Sequence, residues 1–360
     1  MITISLCMIV KNEENVIARC LNSVKDIVDE IIIVDTGSTD NTKEIASGFT
    51  DKIYDFKWID DFSAARNFSY SKAVMDYILW LDADDVILEK DKEKFINLKQ
   101  TLLPAIDMVM MKYDVAFDEH GTVTLSYFRE RLSKRINNYE WKEAVHEYLQ
   151  INGIVINSDI HITHQKLHPS SSGRNLLIYE KIISTGADLT PRGLFYYARE
   201  LSESGRYDDA IKYYNKFLDT GEGYLEDNIR ACSDLAICYY IKHDLHNMLK
   251  ILLRSFEYDT PRAEICCHLG FYYLDKEEYD KAIVWYKIAL QLEKPAEGWG
   301  FILHDYWDFI PNIQLSVCYD RLGNLDEAII YNNKAAEYKP ENSQVLFNKL
   351  YFKKSNEIIK

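Results

Sequence analysis

Near residue 170 the hydrophobic pattern of this chain changes period. Before it, short apolar runs alternate with amphipathic stretches. The runs are TISLCMIV (3–10), EIIIVDTG (30–37), KIYDF (52–56) and YILWLDADD (77–85). Between them lie helical patterns in EENVIARCLNSV (13–24), DNTKEIASGF (40–49) and FSAARNFSYSKAV (62–74). Ile31 to Val34 are apolar at every position, as expected of strands in a mostly parallel sheet covered by helices on both faces. The first part therefore reads as α/β and Rossmann-like. The cluster from Pro169 to Gly173 is the candidate interdomain turn, which divides the chain into a domain at 1–172, a linker helix at 173–192 and a second domain at 193–360.

The second domain repeats itself. Three segments share a small residue, a bulky one three on, an Ala twelve after the first, an aromatic or Asn four later and a small or apolar residue three beyond. They are Ala198/Leu201/Ala210/Tyr214/Phe217, Gly270/Tyr273/Ala282/Tyr286/Ala289 and Ser316/Tyr319/Ala328/Asn332/Ala335. A degenerate copy runs through Ala236 and Tyr239. The pattern resembles tetratricopeptide helix pairs, which stack into a solenoid because no single pair can bury its own apolar face. About a dozen extra residues fall in PAEGWGFILHDYWDF (295–309), and Trp299, Phe301 and Trp307 there are candidate contacts for a bound partner. The alternative uses of such a solenoid, bracing the first domain or joining two copies as a homodimer, stay open.

Composition narrows the classes. A formal net charge of −15 argues against a nucleic-acid polymer or an anionic membrane surface as partner. No apolar run approaches the ~18 residues of a membrane span, and Met1 leads into the first strand without a basic, signal-like segment. A cytoplasmic protein is expected. The seven cysteines are odd in number and show no C-x-x-C, so they read as reduced core thiols.

The chemistry concentrates in WLDADD (80–85). If the chain stays extended there, Asp82 and Asp84 point to one face, roughly 7 Å apart. Close carboxylates repel unless a cation sits among them or one keeps its proton. Hard oxygens at the C-terminal end of a strand suit Mg²⁺ or Mn²⁺ together with a substrate's phosphates, and open α/β sheets gather ligands at that end. The bland reading, a solvated turn capping the next helix, stands beside it. A second signal, IIIVDTGSTDNT, ends a strand at Asp35, where a carboxylate can meet a base or ribose hydroxyl.

SLCMIVKNEE, VDTGSTDNT, DDFSAARN, WLDADD and WKEAVHE, in this order, resemble the family 2 glycosyltransferases of GT-A fold, in the bacterial branch that carries tetratricopeptide repeats. Peptide S-glycosyltransferases have a similar layout. The resemblance implies transfer of a sugar from a nucleotide diphosphosugar, a UDP-sugar being the expected donor, with inversion at the anomeric carbon. It places Val10 and Glu13 at the base site and Asp35 on base or ribose. Asp61, Arg66 and Asn67 would close over the nucleotide, with Arg66 offering a fork to phosphate. Asp82 and Asp85 would lie beside the nucleotide, and Asp84, with His164 from IHITHQKLH, would hold the Mn²⁺ or Mg²⁺. WKEAVHE would supply the base, Glu147 first, with His146 toward the donor, Glu143 as alternate and Trp141 near the acceptor. Lys142-Glu143-Ala144 stands where relatives often have a glycine. Arg174 is a further phosphate candidate.

The acceptor implied is a peptide or protein side chain, Ser/Thr or Cys, held by the repeats. A glycan or lipid-linked saccharide acceptor is the alternative, as is an idle GT-A scaffold acting as an adaptor. A nucleotidyltransferase would want a Gly-rich basic loop, which MIVKNEENV lacks. A membrane polysaccharide synthase would need apolar spans.

Overall fold

The computed structural model describes residues 1–167, 173–295 and 299–359, so His168 and the Pro169–Ser172 part of the expected interdomain turn lie outside the described residues. The chain divides into two compact units, Met1–Leu189 with Glu297–Gly300, and Thr190–Ala296 with Phe301–Lys360.

In the first unit the alternation of runs becomes β1 (Ile4–Val10), α1 (Ile17–Val24), β2 (Glu30–Asp35), α2 (Thr42–Ser47), β3 (Ile53–Asp55), α3 (Phe62–Tyr70) and β4 (Tyr77–Trp80). There follow β5 (Asp85–Val86), α4 (Glu89–Thr101), β6 (Met108–Phe117), β7 (Val123–Lys134), β8 (Trp141–Lys142), β9 (Tyr148–Leu149), β10 (Val155–His164) and α5 (Arg174–Ser184). The main sheet runs β3-β2-β1-β4-β7-β6-β10-β5, while β8 and β9 form a separate antiparallel pair. The parallel reading holds from β3 to β4. Beyond β4 the sheet is mixed, because β7 pairs antiparallel with both β4 and β6 and β5 runs antiparallel to β10.

Two-sided burial explains the apolar strands. Ile4, Leu6, Met8 and Val10 of β1 enter the core that contains Ile17, Cys20, Leu21 and Val24 of α1. Cys7 enters the core on the opposite face, with Ile32, Val34, Ile78, Trp80 and Trp141. The strand period of two splits each run between the faces. Helix α1 is shorter than its pattern and starts at Ile17, because residues 13–16 form the turn that carries Glu13. Helix α3 stops at Tyr70, short of the expected Val74.

Among the described residues the second unit stacks four helix pairs, α6 (Pro191–Glu203) with α7 (Tyr207–Thr220), α8 (Leu225–Ile241) with α9 (Leu245–Arg254), α10 (Ala263–Asp275) with α11 (Tyr279–Gln291) and α12 (Phe309–Arg321) with α13 (Leu325–Tyr338). Helix α14 (Ser343–Ile359) follows. The repeated small residues are the contact points. Ala198, Ala210, Ala282, Ser316 and Ala328 are fully buried, and Ser316 Oγ donates to the Ala328 carbonyl at 2.8 Å. Gly270 lies against Tyr286 so closely that a Cβ would meet the ring at 2.7 Å. All seven cysteines are buried and unpaired with one another.

Among the described residues no helix is long and apolar enough to cross a membrane. In the repeat unit, Gly270→Ala should lower stability by about 1–2 kcal/mol despite alanine's better helix propensity, because the added methyl overpacks a rigid buried ring; urea denaturation reads the change.

Candidate active site

The ends of β1, β2 and β4 lie on one edge of the sheet because these strands run parallel. A cleft of about 710 Å³ opens there, lined by Val10, Glu13, Thr36, Arg66, Asp82, Asp84, His146, Glu147, His164 and Arg174 among others. Candidates from motifs more than 150 residues apart in the chain thus share one cavity.

The crowded carboxylates are not on extended chain. β4 ends at Trp80, and the Asp85 N–H donates to the Asp82 carbonyl at 3.0 Å while the Asp82 N–H donates to Asp85 Oδ2 at 3.1 Å. This turn corrects the extended geometry expected of the motif and gives the acids separate partners. Asp82 Oδ1 accepts from the Arg66 guanidinium at 2.8 Å. Asp84 Oδ1 lies 3.4 Å from His164 Nδ1. Asp85 is fully buried, accepts from Arg131 at 3.0 Å and from the Tyr113 hydroxyl at 2.8 Å, and lies 3.2 Å from His164 Nδ1. It is committed inside the protein and does not line the cleft, which corrects its expected place beside the nucleotide. His164 reaches the site because it is the β10 residue registered opposite Asp85 of β5.

Charge within the cleft is unevenly compensated. Burial resists ionisation of Asp82, but its side chain keeps 36% of its exposure, and Arg66 and Arg131 bring the carboxyl down to about 2. Burial raises Asp84, and the nearby Asp82 and Asp85 add to that effect against the relief from His164. Glu13 is pushed up to about 7, first by burial and then by Asp84 and Asp82. Burial disfavours the imidazolium of His164, yet its bond to Asp85 and the charge of Asp84 raise it overall. The ligand atoms of Asp84, Asp85 and His164 lie within 4.8 Å of one another. Two carboxylates and an imidazole form a donor set that suits a divalent cation such as Mn²⁺.

Arg66 is placed otherwise than as a fork for phosphate. Its Nε donates to Glu147 Oε1 at 2.6 Å, its NH2 group holds Asp82, and its guanidinium carbon stands 4.5 Å from the Trp80 ring and 4.9 Å from the Trp141 ring. The stacking is a cation–π arrangement at a desolvated site. Trp141 is therefore a buried platform for Arg66, which removes it as a direct acceptor contact. Asp61 caps α3, accepting from the Ala64 N–H at 2.9 Å and from Ser63 Oγ at 2.8 Å. Asn67 clamps the backbone of Trp141 through two bonds, 2.8 and 3.0 Å. These two side chains position α3 and β8 and do not line the cleft. Asp35 accepts from the Gly37 and Ser38 N–H groups through Oδ1, both at 2.9 Å, its buried Oδ2 has no hydrogen-bond partner, and it too is outside the cleft lining, next in the chain to the lining residue Thr36.

The stretch 141–147 resolves the missing glycine. Glu143 has φ +74° and His146 φ +54°, so both occupy the left-handed region that costs an L-residue about 1–2 kcal/mol. The strain is held by the Phe62 N–H donating to the Ala144 carbonyl at 2.9 Å and by the Arg66–Glu147 pair. The two left-handed residues leave Glu147 and His146 in the cleft and Glu143 out of its lining. His146 stacks with Tyr179 at 6.5 Å. His161 binds Asp114 at 2.8 Å, apart from His164. Trp299 donates to Asn157 at 3.0 Å, Phe301 lies under the Arg199 guanidinium at 5.2 Å, and Trp307 is buried in the repeat core, which withdraws it as an acceptor contact.

The sequence reading missed Arg129, Glu130, Arg131 and Tyr113. Arg131 is fully buried, 3.9 Å from the Trp80 ring and 4.3 Å from the Tyr113 ring. Arg129 stands 4.8 Å from Trp80 and donates to the Glu147 carbonyl at 3.4 Å. The available signal was three consecutive charges inside a strand-like run, SYFRERLSK (126–134), since buried charges are rare unless paired.

Residues 5–158 match the family model "Glycosyl transferase family 2", and residues 263–295 and 312–342 match "Tetratricopeptide repeat". The first unit thus carries the family 2 glycosyl transferase match. The chain is 32% identical over 279 residues to the SPbeta prophage-derived glycosyltransferase SunS of Bacillus subtilis, covering 72% of this chain and 64% of SunS. It is 51% identical over 101 residues to a TPR repeat-containing protein of Synechococcus elongatus, covering 28% of this chain and 25% of that protein. The chain thus spans less than two thirds of the length of either relative. Among solved structures, the TPR protein TTC0263 of Thermus thermophilus aligns over 51% of this chain and 89% of its own, with TM-score 0.36 and 21% identity.

In the first unit, Arg131→Met should cost about 3–5 kcal/mol, because it removes the guanidinium counter-ion of Asp85 in the interior. The double variant Arg131→Met/Asp85→Leu should recover much of that loss in the same denaturation series.

Proposed function

We propose that this protein is an inverting glycosyltransferase that moves a sugar from a nucleotide diphosphosugar, UDP-linked, to a Ser/Thr or Cys side chain of a peptide or protein acceptor. The observation that carries the reading is the convergence of Asp82, Asp84, His164 and Glu147 on one cleft within a family 2 domain. The acceptor class is drawn from the tetratricopeptide repeats and from the resemblance to peptide S-glycosyltransferases.

Each side chain has a task. Asp35, next to the lining residue Thr36 and with a buried Oδ2 that has no partner in the protein, is the acceptor assigned to a base N–H or a ribose hydroxyl. Asp82 takes ribose hydroxyls, and Val10 and Glu13 flank the base. Asp84 and His164 would hold Mn²⁺ or Mg²⁺. When bound, the cation neutralises charge on the departing diphosphate. Glu147 takes the proton from the acceptor hydroxyl or thiol as its oxygen or sulfur bonds to the anomeric carbon, and the bonding pair of the C–O link leaves with the diphosphate. Arg66 orients Glu147 for that transfer through the 2.6 Å bond, and Arg174 at the cleft wall offers charge to phosphate. A thiol acceptor, with a pKa of about 8.5, asks less of the base than a hydroxyl.

Asp84→Ala should reduce transfer about a hundredfold or more while the melting temperature holds. Glu147→Gln should lower kcat about a hundredfold with little change in donor affinity for a hydroxyl acceptor, and less for a thiol. An intact-mass screen of candidate peptides against a panel of nucleotide sugars reads both. Absence of donor turnover with Mn²⁺ under all conditions would favour the adaptor reading instead.

The pH dependence of cation binding has a definite sign. His164 is raised above its ordinary value by Asp85 and Asp84 against the opposing effect of burial, and a cation must displace its proton. Calorimetric Mn²⁺ affinity should therefore weaken as pH falls from about 8 to about 6, and His164→Asn should flatten that slope.

A further inference from the structure

In the repeat unit a cavity of about 250 Å³ lies among Ile237, Met248, His268, Phe271, Tyr286 and Ile310. It draws mainly on α8, α10 and α12, the first helices of three consecutive pairs, with Met248 of α9 and Tyr286 of α11 closing it from the second helices. We propose that this cavity takes an apolar side chain, Leu, Ile, Met or Phe, from an extended basic segment of the polypeptide acceptor. The inference rests on the reading of the repeat unit as the acceptor platform.

Three observations carry it. The volume falls below the ~300–1,000 Å³ usual for a small-molecule site, so it suits one side chain and not a whole cofactor. The walls are mainly apolar and aromatic, and Ile237 among them is a large aliphatic residue that keeps 39% of its exposure. Tyr286 is 1% exposed, lines the cavity, and its hydroxyl has no hydrogen-bond partner in the protein. A buried hydroxyl left without a partner carries an uncompensated desolvation cost. The backbone carbonyl of an inserted residue is the group that would satisfy it.

Charge indicates the flanking residue. Glu264 lies one turn before His268 on α10, hence on the same helix face. Its carboxyl is raised by burial, which Arg262 and Arg230 only partly offset, while His268 in the cavity wall is lowered to about 4 by burial and by Arg230, and so is neutral. A lysine or arginine next to the apolar anchor would complete the charge around Glu264, and the −15 charge of the chain favours a cationic segment in the encounter.

The test is selection of a displayed random 12-residue peptide library on the full chain, followed by fluorescence polarisation with the enriched sequences. Enriched peptides should carry an apolar anchor within about four residues of Lys or Arg, and Ile237→Asp and Gln314→Trp should each weaken them at least about tenfold. Glu264→Gln should weaken them severalfold and reduce the salt dependence. The variants change an exposed position, Ile237, and a partly buried one, Gln314, and should keep the helical circular dichroism. An absence of apolar enrichment, or unchanged affinity in both rim variants, overturns the proposal. Self-association of the chain that Ile237→Asp abolishes would also overturn it, by assigning the cavity to a second copy. Donor turnover measured on the same samples keeps the two readings apart: turnover without peptide selection rejects the cavity alone, and peptide selection without turnover rejects the enzyme alone.

Discussion

The ion pair between Arg131 and Asp85, both fully buried, is the constraint on which the catalytic edge depends. Such a pair adds little net stability, but losing one member leaves a charge in the interior at a cost of several kcal/mol. It therefore acts mainly by dictating position. With Asp85 held by Arg131 and Tyr113, the chain after β4 has to turn back at once, and that turn directs Asp82 toward Arg66 and Asp84 toward His164. The short β5 strand then pairs with β10 at His164, so one buried carboxylate sets the place of three groups in the cleft.

Around this pair the protein builds alternating charge on aromatic surfaces. Trp80 is approached by Arg66, Arg129 and Arg131, and its indole N–H donates to the Glu130 carbonyl. Stacking lets weakly hydrated guanidinium groups remain buried next to carboxylates. The arginines are largely engaged by Asp82, Asp85, Glu130 and Glu147, whereas Glu13 and Asp84 keep raised carboxyls. The residual negative charge thus points into the cleft, the arrangement a cation and a diphosphate would together complete.

How much of this was legible depended on how local each signal is. The βα alternation, the buried strand faces and the repeat positions at Ala198, Gly270 and Ser316 are local patterns of period 2 or 3.6, and they emerge as elements and contact points. Asp84 was readable as a metal-site candidate from its residue type and place after a strand, His164 only through the family resemblance, and the two lie 3.4 Å apart. Asp61 and Asn67 belong to a recognisable motif, yet hydrogen bonds to Ala64 and Trp141 absorb their side chains. Trp141 and Trp307 show the same limit: a tryptophan in a loop-like run reads as a docking surface until packing encloses it.

The sequence by itself determined the two-part architecture and the edge of the sheet where acids collect, because hydrophobic period and residue type are properties of short segments. Only the tertiary structure decided which acid meets which base. Arg131 lies 46 residues after Asp85, and Glu147 lies 81 residues after Arg66. Their pairing follows from strand order and from the cost of leaving a charge unpaired in the interior. The left-handed backbone at Glu143 and His146 belongs to the same class, since no local preference of Glu or His supplies it and the surrounding contacts impose it.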